Sequence, residues 1–379
     1  MPVHTGTQFD FISAHKSVTE THLYNYQQAQ IPVPSDLNII AWEHLSQISS
    51  LSDYSLVPQL KYGFPVPFHS DISDLPSVPC RNHPSAYKFA SHVDKYITKE
   101  VSLGALTSGF HTNPLSSPIT LNPLQTVEKK GSDTRRTVVD LSFGDISVNS
   151  GIAKDSFPDY DLPLIYPSID VLTEQMVQLG RTALLFKADG RRYYRQLPTC
   201  PSSYALTAVS WRDLIFVDQR LAFGLSSSAK CAQRTSNAIA HFYHYENPDS
   251  LVSPFLDDFG SVNLPDVAMP RFQAFKDLCA RLGVELVDES EGKTVPPAPS
   301  MVYLGLLLDA PSLTISIPQE KIDRAMQELE HWSSKTTCTK RELQSLLGKL
   351  FHLATCLPSA RVFTCPCSIY CVKQHSQCS

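Results

Sequence analysis

The spacing of apolar positions changes along the chain, and each change predicts a different kind of element. Between Arg181 and Asp309 the apolar residues gather in short β-rich runs: "ALLFKA", "LIFVD", "SPFL", "VELV" and "MVYLGLLLD". Among these runs, "SSAKCAQRTSNAIAHFYHY" and "MPRFQAFKDLCARLG" have helical spacing instead. Strands interleaved with helices predict an α+β domain, a sheet backed by helices. After "SLTISIP", Ile322, Ala325, Met326 and Leu329 mark one amphipathic helix, and Leu343, Leu346, Leu347 and Leu350 mark a second. Thr339 and Glu342 ahead of the second stripe have capping-box spacing, so the two stripes predict a helical hairpin.

The first half of the chain is less regular. Residues 1 to about 60 are polar and turn-rich, with one helix expected around "SDLNIIAWEHLSQI". There Ser35 and Asp36 offer caps, and Leu37, Ile40, Trp42 and Leu45 an imperfect apolar face, as in an extension that leans on the body. From "LKYGFPVPF" to about Ile165 prolines punctuate loops and edges, interrupted by the helical spacing of "YKFASHVDKYITKEVSLG" and its stop at Gly104. The chain has no internal repeat and no low-complexity segment.

Composition narrows the classes. At 42% hydrophobic over 379 residues, the chain can bury a large core with two or three subdomains. With 32 Lys and Arg against 37 Asp and Glu, the net charge of −5 argues against a surface coated in positive charge. A nucleic-acid role must rest on local strips, such as Gln319 to Arg361 with seven basic residues against five acidic. No basic start precedes an apolar run, and no stretch approaches the roughly 20 apolar residues that span a bilayer, so an intracellular protein outside the membrane is expected. Ten cysteines are scattered, four of them in the closing "CPCSIYCVKQHSQC", so reduced thiols are expected; the tail's spacing matches no zinc pattern.

The chemistry centres on "SPFLDDFGS", where Asp257 and Asp258 sit side by side between apolar runs. Alone, such a pair more often does no more than turn a hairpin and cap backbone N–H groups. A two-metal phosphoryl-transfer site needs carboxylates from separate strands converging on hard cations. Asp189 in "LLFKADGRRYYRQLP" supplies the second arm, at the end of a β-type run.

In order, "FKADGRRYYRQLP", "LAFGLSSSAKCAQRTSNAI", "FLDDF", "LGVELVDESEGKTV" and "YLGLLLD" resemble the five successive palm motifs of a reverse transcriptase. The resemblance is closest to the retrotransposon branch that includes DIRS-like elements. It extends upstream to "VEKKGSDTRRTVVDLSFGDISVNSGI", similar to the fingers, and downstream to "TKRELQSLLGKLFHL", similar to the thumb, covering about Tyr62 to Arg361. It implies a right-hand polymerase: an extension over 1–60, fingers and palm over 61–317, thumb helices over 318–361 and an aberrant Cys-rich tail over 362–379. The implied activity is RNA-directed DNA polymerisation, with an RNA or DNA template, a primer, deoxynucleoside triphosphates and two Mg²⁺, or Mn²⁺ in their place.

The same resemblance implies roles residue by residue. Asp189, Asp257 and Asp258 are the catalytic carboxylates and metal ligands, with the Gly190 carbonyl a further ligand. Lys129 and Arg136 grip the incoming triphosphate, although taken alone they read as solvated positions at a β-hairpin tip. Tyr194 matches the steric gate against a ribose 2′-hydroxyl, Phe223 and Gly224 the turn against nucleotide and template, and Lys293 a lysine near the leaving pyrophosphate. Tyr303, Leu304 and Gly305 match the primer-grip hairpin; as sequence alone they read as hydrophobic β-structure.

Several positions depart from the family pattern. Tyr193 replaces a small residue before the gate, and Arg191 and Arg192 set two cations beside Asp189, so crowding and charge competition are expected there. Ala222 replaces a proline, Lys230 and Cys231 fall where a proline or aromatic is usual, and Phe255 replaces tyrosine. After "SARVF" no ribonuclease H pattern follows, as expected from a frameshift, a premature stop or a misread exon. Two other classes stay open: a decayed or co-opted copy that binds nucleic acid without polymerising, and a metal-dependent phosphohydrolase, which gives no reason for fingers and thumb motifs.

Overall fold

The computed structural model describes residues 9–19, 31–68, 81–128, 134–144, 147–152, 166–354 and 356. Helix α1 (Phe11–Thr19) is an addition to the expected elements. It buries Ala14, Val18 and His15; the His15 ring meets the Pro201 carbonyl through Nδ1 (2.7 Å) and the Ser117 hydroxyl through Nε2 (2.9 Å). Helix α2 (Ile39–Ile48) is capped by Asn38, whose side chain accepts from the Ala41 N–H, and not by Ser35 or Asp36. Asn38 is fixed for that task because its own N–H donates to the Leu282 carbonyl at 2.9 Å. Trp42 and Leu45 are buried while Ile40 is 79% exposed. Two residues turn a helix by roughly 200°, so Ile40 and Trp42 cannot share a face. Helix α3 (Leu56–Tyr62) completes the leaning segment: Arg234, fully buried, ties it down through Asp53, Ser55 and Gln59.

Helices α4 (Pro84–Lys88) and α5 (Ala90–Ser102) follow, α5 burying Val93, Ile97 and Glu100 at helical spacing. Gly104 takes φ +63° just past its end, as the sequence predicts. Strand β1 (Leu121–Asn122) precedes an antiparallel hairpin, β2 (Leu124–Glu128) with β3 (Arg135–Val139). Helix α6 (Asp170–Leu179) leads to β4 (Leu184–Asp189), and β5 (Ala208–Trp211) pairs with β6 (Leu214–Val217). Helix α7 (Ser228–Glu246) precedes the hairpin of β7 (Ser253–Phe255) and β8 (Asp258–Asn263). Helix α8 (Pro265–Leu282) starts four residues ahead of the expected Met269, because proline suits a first helical position, and it carries Pro270 inside.

The run "VELV" forms no strand. Leu286 makes a single bridge to Gly190. Gln196 takes the neighbouring ladder positions, its amide donating to the Glu285 carbonyl (2.9 Å) and its oxygen accepting from the Glu285 N–H (2.9 Å). Strands β9 (Val295–Ala298), β10 (Ser300–Tyr303), β11 (Leu306–Asp309) and β12 (Thr314–Ser316) lead to the helical hairpin of α9 (Gln319–Ser333) and α10 (Lys340–Leu353). The capping box is formed as expected: the Thr339 N–H donates to Glu342 (2.8 Å) and the Glu342 N–H to the Thr339 hydroxyl (3.2 Å). The α10 stripe buries Leu346 and Leu347, whereas no residue of α9 is buried and Met326 is 54% exposed.

The strands form four sheets, with orders β1-β5-β6, β2-β3, β7-β8-β4-β9 and β10-β11-β12. The chain divides into two compact units that do not follow its linear order. One comprises Met1–Pro167, Ala188–Phe259 and Gln273–Thr294, the other Ser168–Lys187, Gly260–Phe272 and Val295–Ser379. The first has a core in which Val93, Ile97, Leu124, Val209, Trp211 and Phe216 meet; the second packs Leu172, Met176, Leu185, Val262, Met301, Tyr303 and Leu308. No helix among the described residues is long and apolar enough to cross a membrane.

Candidate active site

The aspartate pair lies at the tip of the β7–β8 hairpin, with Leu256 and Asp257 as the turn and Asp258 opening β8. Leu256 takes φ +55°, a left-handed conformation that a branched side chain resists, so neighbours must hold it. Helix α7 does so. Gln233, fully buried, donates to the Pro254 carbonyl (3.0 Å) and accepts from the Leu256 N–H (2.8 Å), and the Ser236 hydroxyl donates to the Leu256 carbonyl. Neither residue stands out in the sequence.

Asp189 ends β4, and the next residue joins it to the hairpin: the Gly190 N–H donates to the Asp257 carbonyl at 2.7 Å. The Asp189 backbone is pinned on both sides, its N–H donating to the Thr294 hydroxyl (3.3 Å) and its carbonyl accepting from Val287 (2.7 Å). Lys293 places Nζ 3.2 Å from each carboxylate oxygen of Asp189. The donor types fit a hard divalent cation, being carboxylates and a main-chain carbonyl. Their arrangement is looser: among the described residues, no three His, Cys, Asp or Glu side chains gather closely enough to hold a metal ion.

The expected crowding by Tyr193 and the two arginines is overturned. Tyr193 turns into the core, 1% exposed, with its hydroxyl 2.8 Å from Ser236 and its ring against Phe259. Burial, chiefly, holds its hydroxyl far above the usual phenol range. A β-carbon on Gly190 would lie 2.5 Å from the Tyr193 ring, so the glycine is required by its neighbour. Arg191 pairs with Glu285 (3.0 Å) and Glu291, and Arg192 with Glu100 (2.6 Å). Arg195 is buried between Glu100 (3.0 Å) and Asp218 (2.7 Å). Each arginine therefore has a carboxylate partner other than Asp189. Ala222 and Cys231 are buried, and burial pushes the Cys231 thiol up to about 12. Phe255 packs against Tyr166, ring centroids 6.1 Å apart.

Tyr194 is half-buried and its ring packs against Phe223 at a tilt of 55°, centroids 4.9 Å apart, with Phe223 itself 52% exposed. Burial first, and then the charge of Asp257, push the Tyr194 hydroxyl up to about 12. Tyr194, Phe223 and Asp257 thus share one neighbourhood. Gly224 takes φ +94°, and a β-carbon there would lie 3.6 Å from the Val139 carbonyl, so the turn abuts the end of β3. Asn149 fixes that turn: its amide nitrogen donates to the Gly224 carbonyl (2.7 Å) and its oxygen accepts from the Ser226 N–H (2.9 Å).

On the β2–β3 hairpin, residues alternate between faces. Arg135 is held on the inner face by Thr126 and Glu128 and by the Phe89 ring, 3.9 Å away. Arg136 points the other way, paired in register with Val127, and both are exposed. Lys129 lies outside the described residues, as does the Cys-rich tail. In the second unit, Tyr303 is fully buried, its ring against Gly260 and Leu172 within the same core. Leu304 and Gly305 form the two-residue β10–β11 turn with φ +46° and +79°, so only they stand at the hairpin tip.

No family model and no curated protein matches the sequence. Solved structures do match. A foamy viral protease-reverse transcriptase (dRH) in complex with double-stranded DNA is 16% identical with a TM-score of 0.53, over 93% of this chain and 54% of that one. A foamy viral protease-reverse transcriptase in complex with an RNA/DNA hybrid is 15% identical with a TM-score of 0.51, over 92% of this chain and 41% of that one. The chain therefore spans about half the length of these neighbours. What it shares with them is an α+β fold of the reverse-transcriptase type.

Proposed function

We propose that the chain is the polymerising core of a reverse transcriptase, extending a DNA primer by template-directed nucleotidyl transfer. The observation that carries this reading is the 2.7 Å hydrogen bond from Gly190 to Asp257, which sets the end of β4 against the aspartate hairpin. The aromatic pair of Tyr194 and Phe223 beside Asp257 supports it, as does the nucleic acid bound to both foamy viral neighbours. The ordered motifs of the sequence point to a retrotransposon of the DIRS-like branch as the source.

In this reading Asp189, Asp257 and Asp258, with the Gly190 carbonyl, would hold two Mg²⁺, or Mn²⁺. When bound, these ions activate the primer 3′-hydroxyl and neutralise charge on the pyrophosphate leaving group. The chain's own residues do the positioning. The Tyr194 ring bounds the sugar and leaves no room for a 2′-hydroxyl, while Phe223 and the Gly224 turn support the base. Arg136, on the open face of its hairpin, and Lys129 offset the triphosphate charge. Lys293 is released from Asp189 to meet the leaving phosphates, and the tip at Leu304 and Gly305 bears on the primer.

Primer extension on an RNA template with deoxynucleotides and Mg²⁺, run beside Asp257→Asn, tests the proposal. Wild type extends the primer and the variant does not. A second reading, a decayed or co-opted copy that binds nucleic acid without polymerising, is favoured by Lys293 seated on Asp189 and by the loose metal donors. Folded wild type that binds primer–template and never extends it sinks the first reading and leaves the second standing.

A further inference from the structure

The first unit holds a cavity of roughly 470 Å³ that shares no lining residue with the candidate active site. Its size is that of a small-molecule or nucleotide pocket. Arg81, Tyr87, Trp211, Arg212 and Asp213 line it. Tyr87 on α4 is 57% exposed and stands 5.8 Å from Trp211, the two rings tilted by 31°, so the buried indole backs an exposed phenol ring.

The turn that closes the cavity is built against local preference. Arg212 and Asp213, the two residues between β5 and β6, both take positive φ, +49° and +61°. Asn and Gly adopt that turn most easily, and β-carbons there are strained. Strain of this kind persists only where surrounding contacts over-determine it, and it concentrates at binding sites. Here the contacts are visible. Arg212 donates to both oxygens of Asp94 (2.8 and 2.5 Å), and the Trp211 indole N–H donates to the same carboxylate (2.8 Å). Arg212 first, and then Trp211, hold the Asp94 carboxyl below its usual range, so the pair stays ionised. The guanidinium is thereby fixed 6.0 Å over the Trp211 ring. Asn82 stiffens the floor, donating to the Ser210 carbonyl (2.9 Å) and accepting from the Leu124 N–H (2.8 Å).

An exposed aromatic ring braced by a buried one suits a flat base, and the cations suit an anion attached to it. Asp94 neutralises much of Arg212, so the anion falls chiefly to Arg81, which is exposed and has no ion-pair partner among the described residues. We propose that this cavity binds single-stranded nucleic acid, one base stacking on Tyr87 beside the fixed Arg212 and a flanking phosphate meeting Arg81. Stacking on an aromatic with a cation tracking the backbone is how single strands are held without sequence preference. The site does not depend on nucleotidyl transfer.

The test is fluorescence anisotropy with the full chain and labelled twelve-residue oligo(dT) and oligo(U), alongside a blunt duplex. Tyr87→Ala weakens single-strand binding about tenfold, within what one stacked base contributes, and Tyr87→Phe stays within about twofold of wild type. Arg81→Ala weakens it and lowers the slope of log affinity against log salt by about 0.7, the loss of one phosphate contact. Duplex affinity is unchanged in all three, and thermal melts verify folding. Single-strand affinity in Tyr87→Ala equal to wild type overturns the proposal, as does a Tyr87→Phe loss as large as that of alanine. Should Tyr87→Ala fail to fold, Arg81→Ala decides alone: an unchanged affinity and salt slope overturn it.

Discussion

Lys293 sits 3.2 Å from both carboxylate oxygens of Asp189, a side-chain cation bound where the proposed chemistry needs a metal cation. The lysine is 60% exposed and the aspartate 10%, so the lysine is the partner able to swing away. If Asp189 holds a metal as proposed, the two cations compete for one acceptor, and Lys293 would then act as a brake on metal entry.

Competition has a measurable sign. Lys293→Gln removes the counter-charge and tightens Mg²⁺ or Mn²⁺ binding by about threefold to tenfold, the modest gain expected of a solvent-screened pair. Isothermal titration of the metal alone, without nucleotide, reads this directly. An unchanged or weaker metal affinity means that Lys293 does not compete.

Gly190 is the tightest point of the site. A β-carbon there would lie 2.5 Å from the Tyr193 ring, which is fully enclosed and hydrogen-bonded to Ser236. Gly190→Ala destabilises the fold by about 1–3 kcal/mol through overpacking. In a Tyr193→Leu background the same change costs clearly less, because the ring that it strikes is gone. Urea unfolding of the four proteins in the cycle measures the difference, and additive effects would place the strain elsewhere.

These two contacts show which parts of the site were legible. The ordered apolar runs and the capping box of Thr339 and Glu342 are local signals, and β4, the aspartate hairpin, α7 and the closing helices follow them. Side-chain direction is not local. Arg191, Arg192 and Tyr193 read as a crowd around Asp189, yet Glu285, Glu291, Glu100 and Ser236 turn each one away. Asn149 and Gln233 read as ordinary polar positions because the backbone groups that they clamp lie at Gly224 and Leu256, distant along the chain. "VELV" has strand composition and forms one bridge, since Gln196 occupies its ladder partners. The α9 stripe shows the converse, a helix correctly read from its period whose apolar face is left exposed at Ile322, Met326 and Leu329.

The N-terminal helix is sensitive to acid. His15 is buried, and burial holds its pKa below the usual value of 6.5, against a smaller opposing effect of the Pro201 carbonyl. A folded-state pKa below the unfolded one means that the unfolded segment takes up the proton first. The stabilisation is fully present above pH 6.5 and is lost as the pH falls through the window beneath it. Hydrogen exchange of the α1 amides, corrected for intrinsic rates, accelerates from pH 7.5 to 5.5 in wild type. His15→Gln flattens that dependence. Equal acceleration in both proteins would assign the effect to another group.

Tyr194 carries the last prediction, because its ring and its hydroxyl separate. The ring packs at a tilt against Phe223, centroids 4.9 Å apart, and would form the proposed wall; the hydroxyl, raised to about 12 by burial and then by Asp257, stays protonated throughout the neutral range. If the wall excludes a 2′-hydroxyl by shape, Tyr194→Phe keeps the preference for deoxynucleotides within about twofold, because the ring remains. Tyr194→Ala lowers the ratio of kcat/KM for deoxynucleotide over ribonucleotide on the order of a hundredfold, the scale of discrimination by a shaped apolar pocket. A loss of preference in Tyr194→Phe instead would assign discrimination to the hydroxyl. The hydroxyl also reports on its neighbour: Asp257→Asn removes the second cause of its raised pKa, so the Tyr194 titration, followed with ¹³C-labelled tyrosine, moves down from about 12 toward the ordinary phenol value while burial keeps it above.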